Sequence, residues 1–247
     1  MKKIPPIKEL KEICKKRDEV YWRDKLNRSI TIRFTKVFLH LGATPDQLTL
    51  LSLIVGLISI SFFSVGSYGF ILLAVFFHHL SHVLDGCDGE IARFDPKKRT
   101  GKGPYLEALS YFILFPLMYM AMGIGAYFNN PLQIPSYLFL IFGFVGTYFM
   151  FLNGLVIPIR NEHYFEKGNF KSLRNIAKKK KVSELESQFR FLLNPGEIFN
   201  IVFFAGLLNL VWLLVIFNAL WHLLMFIRKL IKVSRGLDKD FVNESKK

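Results

Sequence analysis

The sequence predicts an all-α integral membrane protein in which six transmembrane helices follow an amphipathic interfacial helix. Of the 247 residues, 51% are hydrophobic, and they occur in long blocks separated by basic or turn-forming segments. Several blocks exceed about 18 residues with few or no charges, which is the length that a helix needs to cross a bilayer. Lys and Arg concentrate in alternate connections between the blocks, as expected for a chain that crosses a membrane several times.

The net charge of +14 raises the question of nucleic-acid binding. No aromatic–basic nucleic-acid motif is present. We therefore interpret the excess of Lys and Arg as residues that set the membrane topology and contact anionic lipid head groups. The two cysteines, Cys14 and Cys87, are not expected to form a disulfide, and nothing indicates an oxidising compartment. The first 30 residues are charged rather than apolar, so we expect no cleavable signal peptide.

Residues 1–41 are predicted to form an amphipathic juxtamembrane segment on the cytoplasmic membrane surface. This segment is rich in Lys and Arg, and its apolar residues recur at helical spacing. For the first 20 residues, a solvated basic tail is an equal alternative. The apolar positions are Ile7, Leu10, Ile13 and Cys14, followed more loosely by Ile30, Ile32, Phe34, Val37 and Phe38.

The first transmembrane helix is predicted to start at Thr44-Pro45-Asp46, because Pro is favoured at an early helix position beside an acceptor side chain. The predicted spans cover residues 47–65, 70–91, 105–127 and 137–157. The last apolar block, residues 198–227, forms either one long span or two short ones that meet near Leu208 and Asn209. A basic, helix-breaking loop over residues 95–104 separates the second span from the third.

The charge pattern decides the number of spans. The amino-terminal segment, the loops after the second and fourth spans, and the carboxy-terminal tail are basic, whereas the other two loops are not. Positive residues favour the cytoplasmic side, so both termini are placed there, in the plasma or inner membrane of the cell, and an even number of spans follows. We therefore predict a six-helix transmembrane domain over residues 42–233 and a polar tail over residues 234–247. The loop 160–193 carries a lysine run at 178–181 and is predicted to include a short interfacial helix near 182–191.

Asp85 and Asp88 lie at the end of the second span, three residues apart and therefore on one face of a helix. Unpaired carboxylates at that depth are costly, which indicates a functional site with a cation as partner. Carboxylate oxygens suit a hard divalent ion such as Mg²⁺ or Mn²⁺. Gly86 and Gly89 let a ligand approach the backbone, and Arg93 is placed to meet a phosphate. The alternative is a structural cluster in which the aspartates pair with Arg93 and nearby lysines.

The third span opens with Glu107, and Tyr111 follows one turn later on the same face. A loop of about a dozen residues joins the second span to the third, so the two are expected to pack as antiparallel neighbours. Asp85, Asp88 and Glu107 would then meet at the cytoplasmic ends of the two helices and hold a metal ion, since like charges this close otherwise repel. Alternatively, Glu107 is an ordinary acid of a first helical turn, and Tyr111 is a packing or interfacial side chain.

Three histidines, His78, His79 and His82, precede the aspartates on the second span. His82 and Asp85 share a face, which invites a metal interpretation. We favour packing or hydrogen bonding within the bundle, because no further ligands follow at suitable spacing.

The motif resembles the signature of the CDP-alcohol phosphotransferase family, D-x2-D-G-x2-A-R-x8-G-x3-D-x3-D. Nine residues rather than eight separate Arg93 from Gly103, a Glu stands at the third acidic position, and Tyr111 stands at the fourth. The start of the first span also resembles the Pro-Asn-x-x-Thr of many members. The matching positions are Asp85, Asp88, Gly89, Ala92, Arg93, Gly103 and Glu107, with Pro45, Asp46 and Thr49 on the first span.

The resemblance implies metal-dependent transfer of a phospho-alcohol group from a CDP-linked donor to the hydroxyl of a lipid or polyol-phosphate acceptor, with release of CMP. Such a reaction belongs to phospholipid or related lipid synthesis. By resemblance, Mg²⁺ or Mn²⁺ binds Asp85, Asp88 and Glu107. The predicted catalytic set is these three acids with Tyr111, although a phenol in water ionises only near about pH 10 and is not assumed to act as the base. The predicted nucleotide-binding residues are Gly89, Ala92, Arg93, Gly103, Asp46 and Thr49.

The resemblance also implies a homodimer in contact with membrane lipids, without a nucleic-acid partner. Tyr111 supports a second hypothesis, a degenerate member of the family that binds nucleotide or lipid without catalysis. A transporter or channel is the third hypothesis. It is disfavoured because the acids cluster at one interface and no inverted repeat is visible.

Overall fold

The computed structural model describes residues 4–15, 22–166 and 195–244, and in these residues the chain is helical, with no strand. This confirms the all-α prediction. A short 3₁₀ turn, Pro96–Lys98, lies between the fourth and fifth α-helices. The α-helices are α1 (Ile7–Ile13), α2 (Trp22–His40), α3 (Pro45–Val65), α4 (Tyr68–Phe94), α5 (Gly103–Asn129), α6 (Tyr137–Glu166), α7 (Pro195–Leu207) and α8 (Val211–Glu244).

The chain divides into two compact units, Met1–Phe115 and Pro116–Lys247. The first unit holds α1 to α4 and the first part of α5. The second unit holds the remainder of α5 with α6, α7 and α8. All of the predicted site residues belong to the first unit.

Helix α3 begins where the sequence predicted, at a complete capping box. The Thr44 hydroxyl accepts from the Gln47 backbone N–H, and the Gln47 side chain accepts from the Thr44 N–H, with Pro45 in the first turn. The helix ends at Val65 and is capped by Gly66, whose φ of 76° is a left-handed conformation that glycine adopts without strain. This tight ending lets α4 start at Tyr68 and pack back along α3.

Small and hydroxyl-bearing residues line the interface between α3 and α4. The Ser81 hydroxyl donates to the Ser52 carbonyl at 2.8 Å, and the Ser59 hydroxyl donates to the Ala74 carbonyl at 2.7 Å. A Cβ built at Gly56 would lie only 2.7 Å from the Leu114 side chain of α5. Small residues therefore bring these helices close, and cross-helix hydrogen bonds satisfy the hydroxyls, as is common between membrane helices.

The amino-terminal segment differs from the single surface helix that the sequence predicted. Its described residues, 4–15 and 22–41, form two helices, and both contact α4. Leu10 and Cys14 of α1 are fully buried in an apolar cluster that also contains Ile32 of α2 and Ile91 of α4. The side of α2 away from this cluster carries exposed apolar side chains, namely Ile30, Phe34 and Val37, and Leu41 just after the helix is exposed as well. Helix α2 is therefore amphipathic, but its more polar side is the buried one and its apolar side is exposed. The buried side includes Arg28, Thr31 and Thr35.

In the second unit, α6 packs along α8, and glycine again permits close contact. A Cβ at Gly146 would meet Asn218 and Ala219 of α8, and one at Gly123 of α5 would lie 2.8 Å from the Phe139 carbonyl oxygen. Helix α7 ends at Leu207 and α8 starts at Val211, with Asn209 between them at a positive φ of 56°. The last apolar block is therefore two helices that meet near Leu208 and Asn209, and over their described residues only α8 of the two has the length of a membrane span.

Five helices of the described chain have the length and apolar composition of membrane spans, and the protein is an integral membrane protein. They are α3, α4, α5, the Tyr137–Leu155 part of α6 and the Val211–Ser234 part of α8. The prediction of six spans is not reproduced in this count, because α7 has only 13 described residues. Helix α8 continues to Glu244, so much of the predicted polar tail is helical. The lysine run at 178–181 and the interfacial helix predicted near 182–191 lie outside the described residues.

Gly123→Ala is expected to destabilise the protein by about 1–3 kcal/mol, because the new methyl group would meet backbone atoms that cannot move aside cheaply. Those atoms are the Phe139 carbonyl oxygen at 2.8 Å and the Gly143 Cα at 3.0 Å. Thermal unfolding of the detergent-solubilised protein measures the effect. Gly69→Ala is the control, because a Cβ there meets no atom within 4 Å. Equal melting temperatures for the two variants would contradict the close approach of α5 and α6.

Candidate active site

The two aspartates of α4 are each hydrogen-bonded to a different neighbouring helix. The Thr49 hydroxyl of α3 donates to Asp88 Oδ2 at 2.5 Å. The Tyr111 hydroxyl of α5 donates to Asp85 Oδ2 at 2.8 Å. Both carboxylates are half-buried. The carboxy-terminal end of α4 is thus joined through its acids to α3 on one side and to α5 on the other.

Glu107 lies one helical turn before Tyr111, and its side chain is exposed. It acts electrostatically on both Asp88 and Tyr111, as does Asp85. Asp85 and Glu107, which both act on Asp88, are negative. Three carboxylates therefore share one region in which they repel each other.

The acids fit a divalent metal ion in chemistry, since carboxylate oxygens are the donors that Mg²⁺ and Mn²⁺ prefer. In the part of the chain that the structure describes, however, no group of three or more His, Cys, Asp or Glu side chains is close enough to hold a metal ion. Asp85 and Asp88 share a face of α4, whereas Glu107 remains exposed. The assignment of Asp85, Asp88 and Glu107 as metal ligands accordingly stays a prediction.

Arg93 is partly engaged by the protein itself. Its Nε donates to the Cys14 carbonyl oxygen at 2.7 Å and so satisfies the carboxy-terminal end of α1. A Cβ built at Gly89 would lie 3.2 Å from Arg93 Nη1. The open side of Gly89 therefore faces the Arg93 guanidinium, while Ala92 beside them is half-buried.

The predicted nucleotide-binding residues outside α4 lie around the start of α3. The carboxylate of Asp46 accepts from the Thr100 hydroxyl at 3.0 and 2.8 Å, and a Cβ at Gly103 would lie 3.6 Å from Asp46 Oδ1. Thr49, one turn after Asp46, is the residue that donates to Asp88. Lys98 Nζ donates to the carbonyls of residues 42 and 43 at 3.1 Å. These contacts tie the basic loop after α4 to the turn before α3.

Glu90 is a buried acid that the sequence reasoning missed. It is 3% exposed, and its two carboxylate oxygens accept from the hydroxyls of Thr31 and Thr35 on α2, at 2.7 and 2.6 Å. Two signals could have indicated it. An acid two residues after Asp88 lies inside the same apolar helix, and Thr31 and Thr35 are spaced to lie on one face of α2.

The histidines of α4 belong to no group of metal-binding residues among those described. His78 is buried, with its ring edge-on to Phe63 at a centroid distance of 6.4 Å. This contact is consistent with the packing interpretation.

Comparison with known families bears on these acids directly. Residues 42–157 match the model of the CDP-alcohol phosphatidyltransferase family, and this range contains the four predicted catalytic residues on α4 and α5. Residues 42–157 belong to that family. The family domain begins at the turn before α3 and includes the whole of α4 and α5. It therefore contains both hydrogen bonds that hold the aspartates.

Two curated relatives match parts of the chain. The bifunctional IPC transferase and DIPP synthase of Archaeoglobus fulgidus is 38% identical over 85 residues, which are 34% of this chain and 16% of that protein. The inner membrane protein YnjF of Escherichia coli K12 is 32% identical over 111 residues, which are 45% of this chain and 50% of that protein. The alignments thus span half or less of each relative.

Thr49→Val is expected to destabilise the protein by about 1–3 kcal/mol, because Asp88 loses the hydroxyl that donates to it from α3 inside the helix bundle. Thr49→Ser keeps the hydroxyl and is expected to unfold at nearly the wild-type temperature. Thermal unfolding in detergent distinguishes the two. If the valine variant were as stable as the serine variant, the hydrogen bond between α3 and α4 would not contribute to stability.

Proposed function

We propose that this protein is a metal-dependent transferase that moves a phospho-alcohol group from a CDP-linked donor to a hydroxyl of a lipid or polyol-phosphate acceptor. The observation that carries the proposal is the placement of Asp85 and Asp88 on one face of α4, inside the family domain, with Glu107 acting on the same region from α5. The match to the bifunctional IPC transferase and DIPP synthase supports a transferase acting in lipid or polyol-phosphate synthesis.

In this reaction the acceptor oxygen forms a bond to the phosphorus that carries the donor alcohol. The bond from that phosphorus to the oxygen of CMP breaks, CMP leaves with the electron pair, and the acceptor hydroxyl loses its proton. A divalent ion bound to Asp85, Asp88 and Glu107 would neutralise the diphosphate and stabilise the leaving CMP. The contribution of the protein is then mainly positioning and charge stabilisation.

The proton of the acceptor hydroxyl needs a destination, and Tyr111 is poorly placed to accept it. Its hydroxyl already donates to Asp85, so its role is to hold that carboxylate rather than to take a proton. Glu107, which is exposed, or a phosphate of the substrate would accept the proton instead. General-base assistance is worth about 10²–10⁴-fold in rate, so its loss at position 111 alters the reaction without abolishing it.

Orientation and assembly complete the proposal. The positions of the basic segments favour both termini and the active site on the cytoplasmic side of the plasma or inner membrane. The family resemblance favours a homodimer. Both are inferences from charge and family, and glycosylation or cysteine-labelling maps of the loops would test the first.

A degenerate member that binds nucleotide or lipid without catalysis is the second candidate. The observation that favours it is Tyr111, which stands in place of the fourth acid and is bonded to Asp85. A transporter is less well supported, because the acids lie near helix ends rather than along a path through the bundle.

The decisive experiment is a screen for CMP release from CDP-diacylglycerol and other CDP-alcohols. The purified protein is assayed with lipid and polyol-phosphate acceptors, in Mg²⁺ or Mn²⁺ and in EDTA. Release that requires both an acceptor and the metal supports the transferase. Binding of CMP without release from any donor would support the non-catalytic alternative.

Asp85→Asn is expected to lower CMP release by at least about 100-fold, because the variant keeps the shape but loses the charge that binds the cation. Steady-state release of CMP measures the effect. The matched control is Asp95→Asn, an acid just after α4 that accepts from the backbone N–H of Lys97. Wild-type turnover by the Asp85 variant would refute its assignment to the metal.

Tyr111→Phe is expected to reduce turnover by less than about tenfold, since the phenol positions Asp85 and does not transfer a proton. Tyr105→Phe, at an exposed tyrosine of the first turn of α5, is the control. Initial rates at saturating donor and acceptor are compared. A collapse in the rate of the Tyr111 variant alone would show that its hydroxyl takes part in the chemistry.

A further inference from the structure

Helix α4 carries a second acidic group on the side opposite its aspartates. Glu90 lies two residues after Asp88, and side chains two apart on a helix point in nearly opposite directions. Asp88 faces α3 through Thr49, whereas Glu90 is bonded to Thr31 and Thr35 of α2. The mechanism proposed above uses only the first of these two sides.

The contacts around Glu90 bring α1 and α2 against the back of the motif helix. The Cys87 thiol donates to the Thr31 carbonyl, and the Cys14 thiol donates to the Glu90 carbonyl, each at 3.4 Å. A Cβ at Gly86 would lie 2.9 Å from the Thr31 methyl group, so a larger residue there would push α2 away. Helices α1 and α2 are thus both held against the two turns of α4 that carry the aspartates.

Arg93 connects this buried side to the site. It follows Glu90 by three residues, so both lie on one side of α4, and both Arg93 and Arg28 act electrostatically on Glu90. The Arg93 Nε is bonded to the Cys14 carbonyl, and its Nη1 lies beside Gly89. The end of α1 therefore holds the guanidinium next to the residue that follows Asp88, where it also interacts electrostatically with Glu90.

Stability alone does not account for Glu90. Burying a carboxylate carries a desolvation cost, and replacing buried charged groups with apolar ones is often neutral or stabilising. A buried acid that accepts from two hydroxyls and interacts electrostatically with two arginines is better explained by a requirement for one particular arrangement of its partners.

We propose that Glu90 is a positioning residue, which holds Arg93 beside Gly89 so that its guanidinium can bind a phosphate of the CDP-linked donor. The identity of that ligand rests on the proposed function. Glu90 acts through Arg93 and does not touch the reacting atoms, so it governs the affinity for the donor and not the chemical step.

Glu90→Gln separates affinity from chemistry. Glutamine keeps the size of the side chain and can still bond the hydroxyls of Thr31 and Thr35, but it removes the charge that faces Arg93. We expect the KM for the donor to rise about tenfold while kcat stays within about threefold of wild type. The dissociation constant for CMP, measured by calorimetry without turnover, is expected to rise by a similar factor. Glu9→Gln, at an exposed acid of α1, is the control.

A second readout follows the position of α1 directly. The Cys14 thiol is fully buried, and burial, with a contribution from Glu90, raises its pKa to about 11, so it should react slowly with maleimide at pH 8. Thr35→Val removes one donor to Glu90 and is expected to increase labelling of Cys14 at least about tenfold, because α1 and α2 loosen from α4. Thr35→Ser keeps the hydroxyl and is expected to restore slow labelling. Peptide mass spectrometry separates Cys14 from Cys87.

The outcomes distinguish this inference from the proposed function. A higher KM and weaker CMP binding with kcat retained support the positioning role. Unchanged donor KM and CMP affinity in Glu90→Gln, or a loss confined to kcat, would overturn it. If wild-type protein releases no CMP from any donor, the proposed function fails. The positioning role of Glu90 is then tested by CMP binding alone. Weaker binding by the variant then supports the inference, whereas equal binding, or none by either protein, overturns it.

Discussion

The absence of water inside a bilayer governs how this protein packs around α4. Acidic side chains in an apolar helix must find hydrogen-bond donors from neighbouring helices, because lipid offers none. Asp88 finds Thr49 on α3, Asp85 finds Tyr111 on α5, and Glu90 finds two threonines on α2. Each of these three acids thereby bonds α4 to a different neighbouring helix.

Close packing makes those hydrogen bonds geometrically feasible. Gly86 lets Thr31 approach α4, and Gly56 accommodates Leu114 of α5. The second unit follows the same rule, with Gly146 against Asn218, and Lys229 Nζ donating to the Asn153 carbonyl at 3.0 Å. Small residues and short polar links thus replace the hydrophobic driving force that is missing between helices in lipid.

Much of the fold could be predicted from the sequence because it depends on local signals. Apolar runs indicated α3 and α4 to within a few residues, and Thr44-Pro45 marked the start of α3 correctly. The motif spacing placed Asp85 and Asp88 on one face without knowledge of any other helix. Each of these features is decided by residues within one or two turns of each other.

The parts that could not be predicted depend on contacts distant in sequence. A threonine in α2 has the same local pattern whether it faces lipid or Glu90, 59 residues away in the case of Thr31. The sequence predicted that Arg93 binds a phosphate, yet part of its guanidinium is hydrogen-bonded to the end of α1. The exposure of Glu107 depends on the angle at which α5 meets α4, which helical spacing alone does not determine.

Over residues 28–40, helix α2 has few positions at which a substitution would be neutral. Thr31, Ile32, Thr35 and Leu39 are buried, while the opposite side presents the apolar Ile30, Phe34 and Val37 outward. Bulky replacements would not fit the buried side, and polar ones would not suit the apolar outward side. Among related chains, accepted changes in residues 28–40 of this helix should therefore be confined to the narrow basic edge that includes Arg33 and Lys36. A segment distant from the signature motif in sequence would then vary almost as slowly as the motif itself.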